Sequence, residues 1–154
     1  MEQTKQLNRQ ELFSILNGKI SMIINRYLYG RFKDENLGIT VEQWTVLACL
    51  WEQDKVTQQT LSDRTYRDKP SITRLIDNLE KNGLVIRMAD SSDRRVNLIY
   101  LTKKGADLEK KATEIVDELV SNTLDEFTDE DVLVCRNVVK KILTKLGEKT
   151  KNGL

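Results

Sequence analysis

The residues best suited to chemistry lie between Lys69 and Asn82, where short polar and cationic side chains share one side of a predicted helix. Apolar residues recur there at the i, i+3, i+4, i+7 spacing of a buried helix face, namely at Ile72, Leu75, Ile76 and Leu79. The opposite side carries Ser71, Thr73, Arg74 and Asn78. Hydroxyl groups allow a close approach to the major groove of DNA, and an arginine reaches a guanine edge or a phosphate. These residue types predict a helix that binds nucleic acid.

Local signals mark where this helix starts and stops. Asp68 is a good N-cap, and Pro70 occupies the first turn, where its missing N–H costs nothing. Gly83 supplies the left-handed residue that ends the helix. A shorter helix, capped by Thr57, precedes it. The free N–H groups of a helix N-terminus suit a backbone phosphate. Further candidate DNA contacts are Thr57 and Gln58, at the start of the shorter helix, and Arg67, Lys69 and Pro70, at the start of the predicted helix or just before it.

Two adjacent arginines, Arg94 and Arg95, form the tip of a predicted β-hairpin directly after the helix. Residues alternate over 84–89 and 96–101 with the period of two that is typical of strands. A narrow minor groove attracts arginine, so a basic hairpin tip is suited to DNA. Asp93 offers one arginine a salt bridge that would stiffen the hairpin. We therefore expect one arginine in the minor groove and the other paired with Asp93.

Charge is unevenly distributed along the chain. Residues 64–104 include ten basic and five acidic residues, which gives this segment a net charge of +5. The rest, with 15 basic and 19 acidic residues, carries −4, and the whole chain is +1. A basic middle between acidic flanks is typical of a DNA-contacting module.

The composition argues against an enzyme. The chain has no histidine, which removes the commonest general base and the commonest metal ligand. The carboxylates are scattered and of surface type. We therefore predict neither a catalytic site nor a metal or other cofactor.

Two alternatives compete with DNA binding. Taken one at a time, the polar residues of the helix fit a merely solvated helix face. The whole arrangement also fits a winged-helix protein-interaction module without specific DNA binding. That second alternative accounts for neither the charge segregation nor the Arg94-Arg95 pair.

Long helices are predicted on both sides of this central segment. They run from about Asn8 to Phe32, from about Thr102 to Glu126, and from about Asp129 to Leu146. Thr40 and Gln43 form a capping box for a further helix, expected to bury Trp44, Leu47, Ala48 and Trp51. The predicted fold is mainly α with a small β-hairpin wing, a winged helix-turn-helix. We expect one compact unit with terminal helices at 1–38 and 105–154 around a DNA-binding domain at 39–104.

The apolar runs are too short to span a membrane, and the polar N-terminus lacks the apolar core of a signal peptide. A cytoplasmic protein without membrane contact is expected. The two cysteines, Cys49 and Cys135, lie among apolar neighbours and are predicted to be reduced and buried, in preference to a redox sensor.

Several motifs together resemble the MarR family of bacterial transcription regulators, at motif level over about Ile39 to Gly105. They are Thr57-Gln58-Gln59-Thr60-Leu61, Ser71-Ile72-Thr73-Arg74-Leu75, Leu79-Glu80-Lys81-Asn82-Gly83-Leu84-Val85, Asp93-Arg94-Arg95 and Leu101-Thr102-Lys103-Lys104-Gly105. The chain departs from the family pattern at Thr65, Tyr66 and Arg67, where relatives often carry an apolar residue, glycine and another apolar residue. Pro70 replaces a common serine.

The resemblance implies a homodimer, formed through the N- and C-terminal helices, that binds double-stranded DNA at a pseudo-palindromic operator, most often as a repressor. It also implies release by a small aromatic or phenolic effector bound between the dimerisation helices and the winged domain. Tyr27, Arg31, Trp44 and Trp51 are the candidate pocket residues, although core packing accounts for the aromatic ones more simply.

Overall fold

The computed structural model describes residues 9–93 and 95–151. Its helices are α1 (Arg9–Ser14), α2 (Ile20–Asp34), α3 (Val41–Glu52), α4 (Gln58–Thr65), α5 (Lys69–Lys81), α6 (Lys103–Asp107), α7 (Glu109–Leu124) and α8 (Asp129–Lys151). Its strands are β1 (Val56–Thr57), β2 (Val85–Ala89) and β3 (Asn97–Leu101). The chain is thus mainly helical with a small antiparallel sheet, which confirms the predicted fold class.

The N-terminal region is interrupted where one continuous helix was predicted. Residues Ile15–Lys19 form a wide, irregular turn, in which Asn17 leaves the helical region and Gly18 has a φ of 106°. A positive φ favours glycine, so the prediction of an unbroken helix from Asn8 to Phe32 is wrong at this point. Beyond the turn, α2 has two buried side chains, those of Leu28 and Phe32.

The apolar core lies among α2, α3, α4, α5 and the sheet. Its fully buried large side chains include Phe32, Leu47, Leu50, Leu61, Ile72, Ile76, Leu79 and Ile99. The capping box of α3 is confirmed: Gln43 N–H donates to Thr40 Oγ1 (3.2 Å), and Thr40 N–H donates to Gln43 Oε1 (2.9 Å). The predicted buried face is partly wrong, because Trp44, Ala48 and Trp51 are only half-buried while Val46 and Leu50 are buried.

The sheet has three strands where only a hairpin was predicted. The strand order is β1-β3-β2, and both pairs are antiparallel. The hairpin pairs Val85 with Leu101 and Ala89 with Asn97. The third strand, β1, is only two residues long and pairs Val56 with Ile99. A two-residue strand is too short to show an alternating pattern.

Thr102 and Gly105 join the end of the hairpin to the end of α5. The Thr102 hydroxyl donates to the carbonyl of Gly83 (2.7 Å) and accepts from the N–H of Gly105 (3.0 Å), which caps α6. Trp51 Nε1 donates to the Gly105 carbonyl (3.0 Å). A Cβ at position 105 would lie 2.1 Å from the Leu84 carbonyl oxygen. Only glycine allows this approach.

The chain divides into two compact units, one ending at Ile115 and the other starting at Val116. The single helix predicted from Thr102 to Glu126 is two helices, α6 and α7, with a turn at Leu108. The last helix is longer than predicted and continues to Lys151. None of the side chains described between 116 and 147 is buried.

Cys135 is exposed on α8 and Cys49 is half-buried, so the prediction of two buried cysteines is wrong. Burial raises the pKa of the Cys49 thiol, which favours its protonated form. Among the helices described, none is both long and apolar enough to cross a membrane.

Candidate nucleic-acid interface

The start of α5 is fixed by Asp68. Its carboxylate accepts a hydrogen bond from the backbone N–H of Ser71 at 2.7 Å, which makes Asp68 the N-cap. Hydrogen bonds from the side chain and backbone of Ser71 lower the pKa of Asp68 below its ordinary value. Pro70 lies in the first turn, as predicted. The helix N-terminus is therefore built locally, without help from distant residues.

The end of α5 is a Schellman motif. Gly83 has a φ of 68°, its N–H donates to the Glu80 carbonyl (2.9 Å), and the N–H of Leu84 donates to the Leu79 carbonyl (2.9 Å). Leu79 and Leu84 are both buried, as the apolar contact of this motif requires. The prediction that Gly83 ends α5 is confirmed, so both ends of this helix could be predicted from the sequence.

The two sides of α5 differ sharply. Ile72, Ile76 and Leu79 have no exposed surface, whereas Leu75, predicted on the same face, is only half-buried. On the opposite side, the side chains of Lys69, Pro70, Arg74 and Asn78 are exposed, while Ser71 and Thr73 are half-buried. The helix is therefore held by one face and presents polar and cationic groups on the other.

Gln58 and Thr73 are bound to each other. Gln58 Nε2 donates to Thr73 Oγ1 at 2.6 Å, and the Thr73 hydroxyl donates to the Lys69 carbonyl at 2.8 Å. Thr57 caps α4 by accepting from the N–H of Thr60 at 3.0 Å. These contacts join the start of α4 to the first turns of α5, so the candidate residues of the two helices form one surface.

The turn between α4 and α5 carries an exposed aromatic residue that was not predicted as a site. Tyr66 has a φ of 53° and is 75% exposed. The next residue, Arg67, accepts a 2.5 Å hydrogen bond from Ser62 Oγ at its carbonyl. Arg67 Nε is buried, with no hydrogen-bond partner among the described residues. The departure from the family pattern at Tyr66 was the signal available for finding this residue.

A cavity of about 340 Å³ opens beside this turn. It brings together four of the candidate residues, Arg67, Ser71, Arg74 and Asn78, against the start of α3. The cavity is lined by two guanidinium groups, those of Arg67 and Arg74, and by one carboxylate, that of Glu42.

The wing tip is ordered by Asp93. Its carboxylate accepts from the backbone N–H of Arg95 (3.0 Å) and lies 3.6 Å from Arg95 Nε, while its carbonyl accepts from the N–H of Val96 (2.9 Å). The Arg95 side chain is 94% exposed. Arg94 lies outside the described residues.

One arginine of the wing that was not predicted as a site contacts α5. Arg87 Nη2 lies 2.5 Å from Asp77 Oδ1, and Arg87 Nη1 pairs with Glu80 Oε2. The backbone N–H of Arg87 also donates to Glu80 Oε1 at 3.0 Å. The base of the wing is thus tied to α5 by two carboxylates.

The four candidate pocket residues, Tyr27, Arg31, Trp44 and Trp51, do not line the cavity beside the α4–α5 turn. Arg31 Nη1 donates to the Tyr27 hydroxyl at 3.2 Å, and Trp51 is bonded to Gly105. Trp44 Nε1 is buried and has no hydrogen-bond partner within the described part of the chain. The cavity beside the α4–α5 turn is lined by other residues.

Comparisons with known proteins give the class of this fold and surface. A model of the MarR family matches residues 39–96. The organic hydroperoxide resistance transcriptional regulator of Bacillus subtilis (strain 168) is 30% identical over 115 residues, which cover 75% of this chain and 77% of that protein. The chain therefore belongs to the MarR family.

Solved structures of similar proteins agree with this family assignment. The crystal structure of the S. aureus MepR–DNA complex matches with a TM-score of 0.77 and 26% identity, over 93% of this chain and 99% of that one. CouR from Rhodococcus jostii RHA1, bound to p-coumaroyl-CoA, matches with a TM-score of 0.73 and 28% identity, over 86% of this chain and 90% of that one. The protein is a DNA-binding transcriptional regulator with a winged helix-turn-helix, and its relatives are regulators, not enzymes.

Proposed function

We propose that the protein is a repressor that binds a pseudo-palindromic operator as a homodimer, with α5 in the major groove. The observation that carries this proposal is the division of α5 into a face without solvent exposure and a polar face bearing Arg74. A recognition helix needs both, because it must be held rigidly while its side chains reach base edges.

Each candidate residue has a role in this proposal. Arg74 and Asn78 read base edges, while Ser71 and Thr73 allow the helix to approach closely. Lys69, Pro70 and Arg67 surround the N-terminus of α5, where a backbone phosphate binds. Thr57 and Gln58, at the start of α4, contribute to the same phosphate contact.

The wing reaches the flanking minor groove. Arg95 is almost fully exposed, while its backbone and guanidinium are held by Asp93. We assign Asp93 to stabilising the wing and Arg94 to entering the minor groove. A narrow A·T-rich minor groove attracts arginine.

Two copies are needed to read a palindrome. We assign residues 1–38 and 105–154 to the dimer contacts and 39–104 to DNA binding. The support is apolar surface: on α2, Ile20, Met22 and Ile23 are 54–68% exposed, and α8 has similar residues. Contiguous exposed apolar residues of this extent mark a protein contact. The two recognition helices would then lie one helical turn of DNA apart, at about 34–36 Å.

The proposal also includes how the bound dimer represses transcription and how an effector releases it from DNA. A dimer on its operator excludes other proteins from that DNA. CouR, a similar protein, was crystallised with p-coumaroyl-CoA, whose acyl group is aromatic. We propose a small aromatic or phenolic effector here as well, contacted by Tyr27, Arg31, Trp44 and Trp51. The unpartnered N–H of Trp44 supports this, because a buried donor without an acceptor is costly.

Fluorescence anisotropy with the labelled DNA upstream of the protein's own gene tests the proposal. Specific binding at about 10⁻⁸–10⁻¹¹ M that weakens steeply with salt is expected, with much weaker binding to random DNA. Arg74→Ala should cost about 1–3 kcal/mol and relax the preference for the specific duplex. A loss that is equal on both duplexes would reassign Arg74 to a phosphate.

The same assay tests the alternative and the effector. Equal, weak binding of the wild-type protein to upstream DNA and to fragments selected from the whole genome would favour a protein-interaction module. Adding simple phenols to the specific complex should release the DNA. Binding that is unchanged by a panel of aromatic acids and phenols would contradict the effector assignment alone.

A further inference from the structure

Two acidic side chains lie on the helix that faces DNA in the proposed complex. Asp77 follows Arg74 by three residues and is 58% exposed, and Glu80 lies three residues further on and is 38% exposed. Residues three or four apart on a helix are surface neighbours. Free carboxylates here would repel the phosphates and weaken the attraction that Arg74 provides.

Arg87 holds both carboxylates. Its Nη2 lies 2.5 Å from Asp77 Oδ1, its Nη1 pairs with Glu80 Oε2, and its backbone N–H donates to Glu80 Oε1 at 3.0 Å. Both oxygens of Glu80 are therefore occupied by one residue. The carboxylates are drawn toward β2, at the base of the wing.

The pairing is sheltered from water on the arginine side. The Arg87 side chain is 24% exposed, much less than Arg95 at 94%. A half-buried guanidinium that binds two carboxylates is screened less by salt than a surface pair is. Its five donors are also in the planar arrangement that suits carboxylates, which a lysine does not match.

We infer that Arg87 is a positioning residue for DNA binding, which acts by offsetting part of the negative charge of Asp77 and Glu80 and by holding both carboxylates away from the phosphates. The inference rests on the proposed placement of α5 in the major groove. Arg87 then increases affinity without touching DNA. This distinguishes it from Arg74, whose effect depends on direct contact.

A mutant cycle on the labelled upstream duplex tests the inference. Arg87→Gln should weaken binding about tenfold, because it removes the positive charge that offsets the carboxylates and releases both of them near the DNA. Asp77→Asn with Glu80→Gln should bind at least as tightly as the wild-type protein. Adding Arg87→Gln to that pair should then cost clearly less than it does in the wild-type background, because no carboxylate is left to hold away from the DNA. Arg64→Gln is the matched control, since Arg64 on α4 is 28% exposed and pairs with Glu52 on α3, so neither partner belongs to α5.

Each outcome supports or overturns the inference. A tenfold loss from Arg87→Gln that persists in the Asp77→Asn, Glu80→Gln background would overturn it and identify a direct phosphate contact. Weaker binding by the doubly neutral variant would also overturn it, and needs no change at Arg87 that could affect folding. Circular dichroism melts identify any variant that has unfolded. Failure of the proposed function looks different, because the wild-type protein itself would then not prefer the upstream duplex.

Discussion

The winged helix-turn-helix and the C-terminal helix α8 differ in how they bury their apolar residues. In the first, Leu47, Leu50 and Leu61 have no exposed surface. On α8, six leucines and valines are 46–57% exposed, namely Leu133, Val134, Val138, Val139, Leu143 and Leu146. Both regions have helical apolar periodicity, so the pattern alone does not distinguish a core from an interface.

The two regions differ in how much apolar surface they bury within one chain. The winged domain closes a core from its own helices and sheet, and its helix ends are capped by neighbouring residues. The apolar face of α8 gains no comparable burial among the side chains described between 116 and 147. Fully burying such a side chain contributes about 1.5–3 kcal/mol, so a second copy of the chain has much to gain by covering this face.

Two leucine truncations, one in each region, have the largest effects expected from this difference. Leu50→Ala should lower the free energy of unfolding by about 2–5 kcal/mol at every protein concentration, because it leaves a cavity in the protomer core. Leu143→Ala, at a position 47% exposed, should lower stability mainly at concentrations where the wild-type protein is associated. Urea unfolding at several protein concentrations measures both.

Equal losses for the two variants at high dilution would contradict the comparison. They would mean that Leu143 is packed within one protomer. The expected loss for Leu143→Ala in dilute solution is below about 0.5 kcal/mol, as for most surface substitutions.

Local signals made much of the winged domain predictable. The start of α5 at Lys69, its Asp68 cap and its Gly83 stop each depend on residues within a few positions of one another. The capping box of Thr40 and Gln43 is equally local. Such hydrogen bonds depend on the sequence at the helix end, so they can be predicted without knowledge of the tertiary structure.

Features that depend on distant residues were missed. The strand β1 exists because Val56 pairs with Ile99, more than 40 positions later. The contact of Arg87 with Asp77 requires the hairpin to lie against α5, which no local pattern specifies. The interruption at Gly18 was missed for a different reason: the apolar stripe continues across it, and the helical period masks a single left-handed residue.

A substitution with a smaller expected effect tests how closely Gly105 packs against the Leu84 carbonyl. Gly105→Ala should lower the free energy of unfolding by about 1–3 kcal/mol, because the added methyl group would lie 2.1 Å from the Leu84 carbonyl oxygen and backbone must move. Gly30→Ala is the control, since a Cβ there meets no atom within 4 Å. Thermal unfolding of both variants gives the comparison, and an equal cost for the two would show that the α6 junction is loose.

Sedimentation equilibrium of the wild-type protein and of Val138→Asp tests the central claim that the exposed face of α8 is covered by a second copy. The account predicts a wild-type mass of twice the 17.8 kDa chain and a monomer for Val138→Asp, since a charge would be placed in an apolar contact. Asn137→Asp, with the same charge on the neighbouring position, should remain a dimer. A wild-type protein that sediments at 17.8 kDa at all concentrations, or a Val138→Asp variant that stays dimeric, would contradict the account.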